Sequence, residues 1–128
     1  MMKKLLSVVV LGLSTLSFAV TSNVAFAHES AVAKHGGVLA TGGDLHFELV
    51  ARNGNAVIYI DDHGKPMALT GMKGKLTILN GTEKSEAVLV VAGDKLQAQG
   101  VKLAKGAKVV AALTTPAGKA ITVRFTVK

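Results

Sequence analysis

The chain alternates apolar and polar residues in short runs, each cut off by a glycine-bearing turn. DLHFELVA (44–51) and AVIYID (56–61) flank Arg52-Asn53-Gly54-Asn55, and Asn-Gly between two alternating runs is a strong hairpin signal. KLTILN (75–80) and EAVLVVA (86–92) flank GTEKS, and AKVVAALTT (107–115) and KAITVRFTV (119–127) flank PAG. In the last run Ile121, Val123, Phe125 and Val127 fall on one side, with Thr122, Arg124 and Thr126 on the other. That is the two-residue period of a half-buried strand. AVLVVAGDKLQAQ comes nearest to a helical period, but its valine run and Gly-Asp break favour strand. DDHGKP, GMKGK and LAKG are turn-rich connectors. The pattern predicts an all-β fold, a small antiparallel sandwich or barrel of roughly six to eight strands built from hairpins. An immunoglobulin-like arrangement is among its options.

The Asn53-Gly54 loop also predicts a register. If these two residues form the turn, Arg52 pairs with Asn55, Leu49 with Ile58 and Phe47 with Ile60, giving one apolar side. On the other side Glu48 lies across from Tyr59, His46 from Asp61, and Asp44 from His63. Cross-strand partners come within roughly 5 Å at Cβ, so Asp44, His46, Glu48, Asp61 and His63 are expected to gather at one end of this hairpin. A slip of one residue would turn all these charges into the core.

Before residue 28 the pattern changes. Lys3 and Lys4 precede an apolar run from Leu5 to Val20, and Ala25-Phe26-Ala27 carries the small residues of a cleavage site. Residues 1–27 read as a secretory signal, removed between Ala27 and His28. The run is on the short side for a membrane anchor, so no stable membrane insertion is expected after cleavage. The product would be periplasmic, with a flexible lead over 28–36 and one β domain over 37–128. Removing Lys3 and Lys4 from the 15 basic residues leaves 13 against 8 acids, a charge of +5. The lysines are scattered through turns and ends, and aromatics are few, which argues against nucleic-acid binding. There is no cysteine, hence no disulfide, lipid anchor or thiolate.

The candidate chemistry is metal binding. His35, His46, Glu48, Asp61, His63, Asp44 and His28 supply imidazole and carboxylate donors, which suit copper(II), zinc, cobalt or nickel. A histidine at the mature N-terminus adds an amine nitrogen beside its imidazole. The plain alternative is the polar outer face of a hairpin, where opposite charges across a ladder are ordinary. Met67 and Met72 could offer thioether, but two methionines beside a turn read more simply as core filler. Gly36-Gly37 and Gly42-Gly43 fit no phosphate-binding pattern and read as turns or close backbone approaches. Ser30 and Ser85 lie outside any nucleophile motif, and no enzymatic activity is expected.

HGG, a strand ending in HFELV, VIYIDDHGKPM, GDKLQAQG and KAITVRF together resemble the small exported β domains associated with bacterial heavy-metal efflux. The resemblance spans roughly residues 35 to 127. It implies periplasmic residence, a role near copper, zinc, cobalt or cadmium handling, and contact with efflux-system components. The long helical hairpin and lipoyl-like parts of an adaptor subunit are missing, so the resemblance implies a buffer or chaperone rather than a bridge. The competing expectation is a metal-free structural or interaction module that offers an edge hairpin to an envelope partner.

Overall fold

A computed structural model describes residues 32–128, so residues 1–27, expected to be a signal segment, and His28 lie outside the described residues. The described chain is all-β, in the order β1 (Val38–Gly42), β2 (Leu45–Arg52), β3 (Asn55–Asp62), β4 (Lys65–Pro66), β5 (Lys73–Asn80), β6 (Glu83–Ala92), β7 (Lys95–Ala98), β8 (Lys108–Thr114) and β9 (Ala120–Thr126). Each strand pairs antiparallel with its neighbours along the path β1-β2-β3-β7-β6-β5-β8-β9, with β4 attached to β3. β1 and β9 lie side by side at the two ends of this path, leaving a barrel that is nearly closed. At that seam a Cβ added to Gly42 would stand 3.0 Å from Val123 Cγ2, so glycine lets the two strands approach. A single hydrogen-bonded path replaces the two separate sheets that an immunoglobulin-like sandwich would need.

The strands turn because their loops hold residues that tolerate positive φ. Asn53 and Gly54 have φ of 51° and 75°, as a two-residue type I′ turn requires. The register follows as predicted: Arg52 opposite Asn55, Leu49 opposite Ile58, Phe47 opposite Ile60, Glu48 opposite Tyr59 and His46 opposite Asp61. Two further loops repeat the geometry. Gly43-Asp44 joins β1 to β2, and His63-Gly64 joins β3 to β4, all four with positive φ. Three short strands lie outside the runs that read as strands: β1 in VLATG, β4 in DDHGKP and β7 in AGDKLQAQG, the last two being turn-rich stretches.

The inward face is continuous. Phe47, Leu49, Ile58 and Ile60 from the first hairpin meet Leu76 and Ile78 of β5, Leu96 of β7, and Val109, Leu113, Val123 and Phe125 of β8 and β9. Met72 is buried in this core and Met67 packs against it, as filler. β2 is bonded on both sides by β1 and β3, and β3 by β2, β4 and β7. Much of the first hairpin is therefore paired on both outer sides, β1 covering Leu45–Leu49 and β7 covering Ala56–Tyr59. No helix among the described residues is long and apolar enough to cross a membrane.

Candidate functional site

The outer face of β2 and β3 carries Glu48, a carboxylate only 5 % exposed. Its partners come from the segment before β1. Oε1 accepts from the Lys34 amide at 3.1 Å and from His35 Nδ1 at 3.0 Å. Oε2 accepts from the His35 amide at 2.9 Å and the Gly37 amide at 2.8 Å. Burial pushes the Glu48 carboxyl up, but these donors, His35's side chain first and then the amides of Gly37, His35 and Lys34, hold it below its ordinary value of 4.5.

The His-Gly-Gly tripeptide makes this convergence sterically accessible. Gly36 has φ of 72°, a region that a side chain disfavours. Gly37 lies so close to β2 that an added Cβ would sit 2.3 Å from Leu49 O and 2.9 Å from Glu48 Cγ. The first glycine turns the chain and the second brings its backbone onto the strand. The lead thus closes over the hairpin and brings His35 against β2.

An ionised carboxylate only accepts hydrogen bonds, so the His35 proton is on Nδ1 and Nε2 keeps its lone pair when the ring is neutral. The ring also stacks on Tyr59, with centroids 3.6 Å apart and planes 4° from parallel. Glu48 and Tyr59 are the facing pair of the ladder, so both contacts to His35 come from one cross-strand position.

Beside this ring lies a pocket of about 120 Å³, whose wall includes His35, His46, Tyr59, Asp61, Leu39 and Pro66. His46 is half-buried, and its Nδ1 is fully enclosed without a hydrogen-bond partner. Asp61 accepts the Gly64 amide at 3.2 Å through Oδ1.

Two expected donors fall elsewhere. Asp44 and His63 do not face each other across the ladder, because each occupies a positive-φ position in a type I′ turn. A left-handed residue leaves the strand alternation, and Asp and His are among the few side chains that adopt it readily. His63 Nδ1 instead bonds its neighbour Asp62. Glu48 is on the expected face, but both its oxygens are filled by protein donors. Among the described residues no group of three or more His, Cys, Asp or Glu side chains is close enough to hold a metal ion. Of the expected cluster of five, His46 and Asp61 still face each other across the ladder; His35 lines the same pocket without completing a group of three.

The sequence pattern did not reveal the backbone amides of Lys34 and Gly37 as partners of Glu48. One signal for them existed: a glutamate between Phe47 and Leu49 on a strand covered by more chain must find donors. No family model, curated protein or solved structure matches the chain.

Proposed function

We propose that the protein is an exported metal-binding accessory, a buffer or chaperone linked to heavy-metal or copper efflux, that takes divalent ions at His35. The observation behind this reading is the Glu48–His35 pair. A carboxylate that accepts a hydrogen bond from Nδ1–H fixes the tautomer and leaves the Nε2 lone pair free, the arrangement that orients and strengthens metal-binding imidazoles. In this reading Glu48 is a positioning residue and not a ligand. His46 or Asp61, which line the same pocket, would supply a second donor, so the reading rests on two protein donors rather than three. A shell of so few protein donors leaves positions for water or for a receiving partner, which suits transfer better than permanent storage. Copper(II), zinc, cobalt(II) and nickel(II) match imidazole with carboxylate oxygen. His28, with its terminal amine, is an additional donor in the processed chain.

The test is titration of the processed, tag-free protein with each of the four ions, beside His35→Ala and His46→Ala. Binding in the micromolar range or tighter that disappears in His35→Ala supports the proposal. Failure of all four ions to bind the correctly processed protein would overturn it. Binding that survives both substitutions but is lost on removing His28 would also overturn it, assigning the metal to the N-terminus alone.

A further inference from the structure

The half of the barrel formed by β6, β5, β8 and β9 carries an outward lattice whose rows follow from register. Lys84, Leu79, Lys108 and Thr126 form one row, and Glu86, Thr77, Val110 and Arg124 the next. Val88, Lys75, Ala112 and Thr122 form a third, and beyond it Lys73, Thr114 and Ala120 continue the face. Lys73, Lys75, Lys84, Lys108 and Arg124 are all exposed there. The single carboxylate among them, Glu86, is held by Lys75 at 2.7 Å. Between the cations stand short Thr, Ala and Val side chains, so the long basic groups project from a smooth sheet. Val88 and Val90 are 70 % and 52 % exposed at one margin, and Leu79 is 41 % exposed.

We infer that this face docks on an anionic phospholipid surface. Charge complementarity calls for an anionic partner, since five cations face outward against one acid, and the Lys75–Glu86 pair leaves four of them uncompensated. The exposed valines and leucine select a bilayer over a sugar or nucleic-acid polyanion: they can enter the headgroup layer. Single-stranded nucleic-acid binding leans on aromatic stacking, and the chain's one tyrosine is on the opposite half, beneath His35. The order around the barrel puts β5 and β8 across from β2 and β3. Docking through the cationic lattice therefore leaves the His35 pocket facing away from the lipid, open to solvent and to partners. The inference stands independently of metal binding.

The experiment is sedimentation of the processed protein with phosphatidylcholine vesicles and with mixed phosphatidylcholine–phosphatidylglycerol vesicles, at low and high salt. Binding is expected only with phosphatidylglycerol and should fall as salt rises. Each cation removed from the lattice should weaken it by about fivefold, so a Lys73→Ala, Lys108→Ala, Arg124→Ala triple variant should lose about a hundredfold. Arg52→Ala, Lys65→Ala and Lys102→Ala together remove the same charge elsewhere and should cost far less. Glu86→Gln should tighten binding, and Val88→Ser should weaken binding to vesicles but not to heparin. No preference for phosphatidylglycerol, equal losses in the two triple variants, or retention by heparin without vesicle binding would each overturn the inference. All substituted side chains are exposed, and circular dichroism checks that the variants fold.

Discussion

Glu48 holds His35 at both ends: Oε2 accepts the His35 amide at 2.9 Å while Oε1 accepts the ring Nδ1 at 3.0 Å. The two residues are 13 apart in sequence, so this one carboxylate fixes both the path of the lead and the tautomer of the imidazole. Three backbone and side-chain consequences can be measured separately.

The first is acid sensitivity. A carboxyl held below its unfolded value adds stability above that value, and the contribution disappears as pH falls through the folded one. The Glu48 contribution should therefore be complete above about 4.5 and decline below it. Urea midpoints between neutral and strongly acid pH should show this fall in the natural protein. Glu48→Gln should flatten it and lower stability at neutral pH by about 2 kcal/mol, because a neutral amide replaces a charged acceptor for four donors.

The two glycines of the tripeptide should differ. Gly36→Ala meets open space and only the strain of positive φ, about 1 kcal/mol. Gly37→Ala drives a methyl against Leu49 O and Val50, and should cost about 3 kcal/mol or release the lead from β2. Denaturation of the two single variants ranks them; equal losses would mean that the lead is not held as described.

Tyr59 is the only tyrosine and there is no tryptophan, so intrinsic emission reports the ring stacked on His35. His35→Ala should change Tyr59 emission, and His35→Phe should keep a stacked partner while removing the nitrogen. Copper(II) added to the natural protein should quench Tyr59 strongly. Quenching that persists undiminished in His35→Phe would place the ion elsewhere.

His46 sets stability against binding. Its enclosed, unpartnered Nδ1 is a destabilising feature, so His46→Phe should leave stability unchanged or raise it by about 1 kcal/mol. The same variant should lower metal affinity. A large loss of stability would instead reveal a structural bond made by this ring.

Much of the first hairpin was legible because Asn53-Gly54 admits one turn geometry, and that turn sets every pair from Arg52–Asn55 to His46–Asp61. The site was less so. Asp44 and His63 look like strand residues by parity, yet both take left-handed conformations that end the ladder. Glu48 looks like a free donor on a polar face, but the lead covers it. That cover depends on contacts distant in sequence and on backbone amides, which carry no residue-type signal. Gly36 and Gly37 were readable as turn and close approach, without any indication of which strand they approach. β1 and β7 were hidden for a related reason: VLATG and KLQA are too short to show a period, and they become strands through pairing with longer neighbours.

The seam between β1 and β9 has a kinetic consequence. Strands from opposite ends of the domain meet there, so the last contact of the barrel closes nearly the whole chain as one loop. Such sequence-distant pairing slows folding. The local hairpins can form early, while the core stays open along one side until β9 arrives. Conversion of the opened form to the closed barrel should therefore be the slow step, and substitutions at Val123 should act on its rate more than those at the Asn53-Gly54 turn.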